Sequence, residues 1–194
     1  MLESNNGTND IEHNQSKQRM RVIALVSFIF MMASATLVIV LIQMSGYAGT
    51  TEDTQLGFNA DIIKNYFSLM NATDLGLFIT ANLADYLFML FYGLFFFSTA
   101  RLISWNYKGG LPKRSGLLLA WVGVIAAVLD GIENVFLLLM TADPVGFASW
   151  LAIAHSSFAF TKFLFMYTAM AWTVVGFVLN RTPIATYLMT SQIV

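Results

Sequence analysis

One apolar stretch constrains the fold of this chain more than any other feature: residues 115–142, SGLLLAWVGVIAAVLDGIENVFLLLMTA. It is long enough to cross a lipid bilayer as a helix, yet it contains Asp130 and Glu133. A carboxylate inside a spanning helix costs about 2.5 kcal/mol or more, so such residues usually face a partner or a wet cavity. Their spacing places both acids, together with Asn134, on one helical face. We therefore expect this helix to turn its acidic face toward other helices.

The composition is that of a membrane protein. Of the 194 residues, 57% are hydrophobic and only 11% are charged, whereas about a quarter are charged in soluble domains. A spanning helix needs about 20 apolar residues, and four stretches meet that requirement. The predicted fold is an all-α integral membrane protein, a four-helix up-and-down transmembrane bundle within residues 17–182, with spans at about 22–44, 75–100, 115–141 and 147–179.

The segments outside the spans are short. Residues 1–16 are polar and contain little to bury, which predicts a disordered tail. The loop at 45–74 contains apolar residues at helical spacing, which predicts a short amphipathic helix that lies on the membrane surface and caps the bundle. Packing of these residues against a loop or a neighbouring subunit is the alternative. A second tail covers residues 183–194.

The distribution of charge predicts the orientation. Eight of the ten Lys and Arg residues lie just before the first span (residues 17–21), in the loop at 101–114 and just after the last span (Arg181), whereas the loop at 45–74 is acidic. Because loops rich in Lys and Arg stay in the cytoplasm, we expect a multi-pass protein of the cell membrane with both termini cytoplasmic.

Polar residues of three spans are predicted to lie at similar depths. Each of these spans has an arginine at its cytoplasmic end. Asp85 and Asp130 are sixteen residues from that arginine, which corresponds to roughly 24 Å. Asn82, Glu133 and Lys162 are nineteen residues from theirs, which corresponds to roughly 28 Å. These side chains are therefore expected to meet in the outer half of the membrane.

The predicted contacts are a Glu133–Lys162 ion pair and an Asp85–Asp130 contact, with asparagine amides donating to the ionised acids. Three acids and one lysine leave a net charge of −2 when all are ionised, and neighbouring acids resist ionising together. The site is therefore expected to hold protons, admit water, or bind a cation or a protonated amine. The candidate proton- or ligand-binding residues are Asp85, Asp130, Glu133, Lys162, Asn82 and Asn134, with Tyr92 and His155 as accessory residues.

Three classes of function remain open. The first is a protein that binds or moves protons, a small cation or a small amphipathic ligand, which a homo-oligomer would suit. The second is a structural or accessory subunit whose polar network holds helices or a partner together. The third is a membrane enzyme doing acid–base chemistry on a lipid-like substrate, which the sequence favours less because it contains no HExxH, GxSxG or glycine-rich phosphate loop.

Partners and cofactors follow from the same composition. The lipid bilayer is the expected partner, and nothing indicates nucleic-acid binding. No cofactor or metal site is predicted, because cysteine is absent and the two histidines are far apart. None of these motifs assigns the chain to a known family.

Overall fold

The computed structural model describes residues 3–107 and 109–179, with side chains described from residue 12 onward. The described residues form helices and short connections, without a strand. The helices are α1 (Glu3–Met44), α2 (Thr51–Gln55), α3 (Ala60–Ser68), α4 (Ala72–Ser104), α5 (Gly110–Thr141) and α6 (Ser149–Leu179). Four of them, α1, α4, α5 and α6, are long and apolar enough to cross a membrane. The prediction of an all-α membrane bundle with four spans is confirmed, while the predicted tail at 183–194 lies outside the described residues.

Successive long helices run antiparallel. Between α1 and α4, Phe28 packs on Phe95 and Phe30 stacks on Phe91, so residue numbers rise along one helix as they fall along the other. The same relation holds between α4 and α5 and between α5 and α6. The topology is therefore up-and-down, and the first and last spans have their chain termini at the same end of the bundle.

The four long helices are not equivalent. Helix α4 packs extensively on both α1 and α5, and α5 packs on α6. Among the long helices α1 has extensive contacts with α4 only. Only 11% of the apolar window of α1 is buried, compared with 44% in α4. The interior of the bundle is therefore formed by α4, α5 and α6, and α1 lies against its outside.

The N-terminal segment differs from its prediction. Helix α1 begins at Glu3, so residues 3–16 are helical where their composition predicts disorder. The side chains of residues 12–16 are exposed, so burial does not stabilise this part of the extension. It propagates from the long helix that follows, because adding a residue to an existing helix requires no new nucleation.

Small residues let α4 and α5 approach closely. A Cβ atom placed on Gly123 would lie 2.5 Å from Cβ of Phe96, and one on Gly93 would lie 3.1 Å from Cβ of Ala127. Helix pairs in membranes depend on such close packing, since lipid is as apolar as the helix surface. The small residues Gly123 and Ala127 of α5 therefore set the distance between these two helices.

The predicted amphipathic helix of the first loop is present as α3. The side chain of Asn59 caps its N-terminus by accepting a hydrogen bond from the backbone of Asp61. Its apolar face buries Ile63 and Phe67 among residues from α4, α5, α6 and the α5–α6 connection, including Phe78. Helix α3 thus closes one end of the bundle.

A tyrosine joins α1 to this cap. The α1 helix ends just before Gly46, whose φ of 63° lies in the left-handed region that glycine tolerates. The hydroxyl of Tyr47 lies 2.9 Å from that of Thr54 in α2. Burial, as the main cause, raises the pKa of Tyr47 to about 12.

The close approach of α4 and α5 can be tested with two glycine substitutions. Gly123→Ala should lower the stability of the protein by about 1–3 kcal/mol, because the added methyl group forces the helices apart. Gly76→Ala is the matched control, since no atom lies within 4 Å of the added Cβ, and it should be neutral or slightly stabilising. Thermal unfolding in detergent would measure both; equal midpoints would contradict this packing.

Burial of the Tyr47 hydroxyl predicts that the protein loses stability at alkaline pH. Because the folded-state pKa is above the ordinary value of about 10, the stabilisation is complete below pH 10 and falls as pH rises toward 12, by about 2 kcal/mol. Tyr47→Phe should remove this part of the alkaline decline, while exposed Tyr167→Phe should retain it. Thermal unfolding at several alkaline pH values would measure the slopes, and an unchanged slope in Tyr47→Phe would be inconsistent with the buried phenol.

Candidate functional site

A buried lysine of α6 contacts two carboxylates of α5. Nζ of Lys162 lies 2.6 Å from Oδ1 of Asp130 and 2.5 Å from Oε2 of Glu133. The three residues are 5%, 4% and 0% exposed, respectively. The two acids are three positions apart, so they share the face of α5 that turns toward α6. The predicted Glu133–Lys162 ion pair is confirmed, and Asp130 shares the same ammonium group.

Helix α4 supplies a second donor to Asp130. The hydroxyl of Tyr92 donates to Oδ2 of Asp130 over 3.1 Å, and Tyr92 is 1% exposed. Asp130 therefore accepts one hydrogen bond on each oxygen, from the ammonium of Lys162 and from a phenol.

Asp85 has a different partner from the one expected. Nδ2 of Asn134 donates to Oδ2 of Asp85 over 2.9 Å and lies 3.3 Å from the carbonyl of Asn82. The amide of Asn82 in turn donates to the carbonyl of Phe78 in its own helix. Asp85 is only partly buried, whereas Asn134 is 2% exposed. Asp85 thus meets α5 through an amide.

Asp85 hydrogen-bonds Asn134 and not Asp130, although the two carboxylates are close enough to repel each other electrostatically. The expectation took Arg101 and Arg114 as markers of equal depth. The observed Tyr92–Asp130 and Asp85–Asn134 contacts shift α4 relative to α5 by about one helical turn from that alignment. Asp85 therefore lies closer to the capped end than Asp130 does.

Glu133 also faces His155, and no hydrogen bond joins the two side chains. Nδ1 of His155 lies 3.3 Å from the backbone carbonyl of Glu133. Because a carbonyl only accepts, we assign the ring proton to Nδ1. Nε2 is then an acceptor and lies 3.7 Å from Oε1 of Glu133, without a hydrogen bond. Both side chains are 0% exposed, so two buried acceptors face each other.

Helices α2 and α3, which together form the cap, cover the end of the cluster at which His155 lies. The backbone of Thr54 in α2 lies against the ring of His155. In the connection between α2 and α3, the backbone N–H of Phe58 donates to Oγ of Ser156 over 3.2 Å. Phe58 adopts a left-handed φ of 51°. A non-glycine residue in that region is strained, so the hydrogen bond to α6 helps to hold the loop in place.

A small pocket leads from the capped end toward the cluster. It has a volume of about 160 Å³ and lies between the end of α1, helix α2 and α4. Threonines and a glutamine line it together with apolar side chains such as Phe78 and Leu137, and Asn82 contributes to its lining. The backbone carbonyl of Asn82 accepts from Asn134, which also donates to Asp85, so a chain of hydrogen bonds connects a residue of the pocket to this carboxylate.

The structure brings together all six predicted site residues and both accessory residues from α4, α5 and α6. Sequence reasoning missed three neighbours: Thr54 and Ser156 beside His155, and Tyr86, whose hydroxyl donates to the carbonyl of Gly131. Their residue types are common, and no pattern in the sequence distinguishes them. Only the folded cap brings Thr54 to α6.

The arrangement can store positive charge. Three carboxylates and one lysine lie within the network, and protons or a small cation can neutralise the excess. In the part of the chain that is described, no group of three or more His, Cys, Asp or Glu side chains is placed to hold a metal ion. Comparisons with protein-family models, curated proteins and solved structures find no match for this chain. Its function is therefore argued from these contacts.

Removing the lysine should expose the charge imbalance. Lys162→Met leaves Asp130 and Glu133 buried without a cation and should lower stability near neutral pH by about 3–5 kcal/mol. The deficit should shrink at acidic pH, because protonation removes the unpaired charge. The matched control is Lys64→Met, which removes an ammonium that lies 5.0 Å from the ring of Phe147 in the cap.

The Lys64→Met control should lose about 1 kcal/mol or less of its free energy of unfolding. Thermal unfolding of both variants between acidic and neutral pH would measure the difference. If Lys162→Met had the same midpoint as Lys64→Met at every pH, the ion-pair network would not stabilise the bundle.

Proposed function

We propose that this chain is a membrane protein that binds protons at its buried carboxylate–lysine cluster, and that a small cation or a protonated amine competes for the same negative charge. The single observation that carries the proposal is the contact between Glu133 and His155. With the proton on Nδ1, the facing atoms Oε1 and Nε2 both accept, and neither has a donor. One added proton on either atom would make this 3.7 Å contact attractive, and a small approach of the two side chains would then form a hydrogen bond.

The charge of the whole cluster supports uptake of more than this one proton. Lys162 neutralises one of three carboxylates, so a net charge of −2 remains if all are ionised. A proton shared by Glu133 and His155 reduces it to −1. Asp85 is the least buried of the acids and accepts from an amide rather than from a cation. It is the natural position for a second proton or for the charged group of an amine.

Access from the capped end fits the same function. The pocket beside Asn82 is large enough for water, which would lie near Asn134 and Asp85. A proton or small cation would reach the partly exposed acid first and the fully buried pair afterwards. Binding requires only this one route, whereas movement across the membrane would require a second route from the opposite end.

A structural role is the second candidate. The contacts of Tyr92 with Asp130 and of Lys162 with both acids of α5 tie α4, α5 and α6 together. A network of this kind stabilises a bundle whether or not its protonation changes. The two candidates differ in their response to pH and cations, since a purely structural network has no need of either.

Infrared spectroscopy can test the proton directly. In lipid-reconstituted protein near neutral pH, we expect the C=O stretching band of a protonated carboxylic acid, and this band should disappear in Glu133→Gln. Asp61→Asn is the matched control, because Asp61 is an exposed carboxylate of α3, and it should retain the band. Glu133→Gln preserves the size of the side chain, and Lys162 keeps Asp130 as its partner.

Thermal unfolding between about pH 4 and 9 provides the second readout, since that range covers ordinary carboxylic acids and imidazole. A folded state that holds an extra proton loses stability as pH rises. This part of the pH dependence should vanish in Glu133→Gln and diminish in His155→Gln. His13→Gln, which removes the exposed histidine of α1, should behave like the parent.

Cation binding is tested by thermal unfolding at a fixed pH. Sodium, potassium and a series of organic amines are added to the parent protein and to Asp85→Asn. A stabilisation seen in the parent and lost in the variant supports binding at Asp85. Absence of the protonated-acid band, together with pH-independent and cation-independent unfolding of the parent, would reject the proposal and leave the structural role.

A further inference from the structure

A groove lies at the end of the bundle opposite the cap. It has a volume of about 440 Å³, and Lys17 and Arg21 of α1 line it together with residues of α4 and α6. Since α1 packs along α4 and not extensively along α6, a gap between α1 and α6 remains over the surface of α4. The other lining residues are Ala24, Thr99, Leu102, Ile103, Asn106 and Phe177.

The floor of the groove is fixed by a close helix contact. A Cβ on Gly176 of α6 would lie 2.9 Å from Cγ2 of Ile103 of α4. The two helices therefore touch beneath the groove, while α1 forms its other wall. The spacing of these three helices therefore produces the groove.

Two cations lie on one side of this groove. Lys17 and Arg21 are four residues apart and so share a face of α1. Nζ of Lys17 donates to Oδ1 of Asn106 over 3.0 Å, which draws the lysine toward α4 and leaves two of its three protons for other acceptors. Among the described residues, no carboxylate lines the groove. Among the described residues, Arg21 has no ion-pair or hydrogen-bond partner.

The chemistry of the groove changes along its length. Lys17, Arg21 and Asn106 provide donors toward the end of the bundle, whereas Leu102, Ile103 and Ala24 provide apolar walls. Thr99 adds a hydroxyl that has no partner in the described part of the chain. An anionic group beside an apolar chain is the chemistry of a phospholipid, and basic pockets between membrane helices bind such headgroups.

We propose that the groove between α1, α4 and α6 binds one anionic phospholipid, with its phosphate at Lys17 and Arg21 and an acyl chain along Leu102 and Ile103. The site is separate from the carboxylate–lysine cluster, which lies toward the opposite end of the same helices. The lipid would fill the gap beside α1 and so join this outer helix to α6.

Native mass spectrometry of the detergent-purified protein tests the proposal. Phosphatidylglycerol is added in one series and zwitterionic phosphatidylcholine in another. We expect phosphatidylglycerol to be retained and phosphatidylcholine to dissociate. Lys17→Gln/Arg21→Gln should weaken retention of phosphatidylglycerol by roughly tenfold to thirtyfold, since each basic residue near an anionic lipid contributes a several-fold effect.

The matched control removes one arginine and one lysine that do not line the groove. Arg19→Gln/Lys113→Gln changes the net charge by the same amount, so it should retain the lipid as the parent does. Equal losses in the two double variants would show a non-specific attraction to the basic end and would overturn the proposal. Failure of the parent to retain phosphatidylglycerol would do the same.

If Lys17→Gln/Arg21→Gln folds poorly, a variant that leaves the charge unchanged can still test lipid binding. Ala24→Phe places a ring in the groove without altering any charge and should also displace the lipid. Inorganic phosphate and glycerol phosphate form a further arm. If either displaced phosphatidylglycerol as effectively as the intact lipid does, the site would be one for a soluble anion, and the assignment to a membrane lipid would be wrong.

Discussion

The contact on which the rest of the bundle depends is the ammonium of Lys162 between Asp130 and Glu133. Two carboxylates on one face of a membrane helix require a cation, and Lys162 of α6 provides one inside the bundle. This requirement fixes the rotation of α5 and α6 about their axes. It also fixes their relative height, because a lysine can reach both acids from only a short range of positions along α6.

The other helices follow from this constraint to different degrees. Helix α4 joins the cluster through Tyr92 and Asn82, and the small residues of α5 let it come close enough to do so. Over its described side chains, helix α1 contributes none to the cluster. The hydroxyls of Ser27 and Ser34 donate to carbonyls of their own helix, so apolar packing on α4 is what holds α1 within the membrane. Its position outside the core is the result.

Sequence reasoning could predict the spans, the inward faces and the Glu133–Lys162 pair, because each depends on spacing within one helix. It could not predict the height of one helix relative to another. Arg101 and Arg114 differ in depth by about one turn, and Asp85 consequently meets Asn134 instead of Asp130. The contact of Thr54 with His155 was equally inaccessible, since it depends on how the first loop folds over α6.

The choice of residue types within the cluster bears on its role. Asn134 shows that an amide is sufficient to tie α5 to α4, since its side chain donates to Asp85 and to the backbone carbonyl of Asn82. A carboxylate in the same position costs more, because its charge must be neutralised inside the membrane. Three carboxylates beside one lysine therefore exceed what holding the helices together requires. A neutral glutamine at position 133 could fill the same space, but it could not exchange a proton with His155. The excess acids are useful to the protein only if their charge changes, and this favours proton or cation binding over a purely structural network.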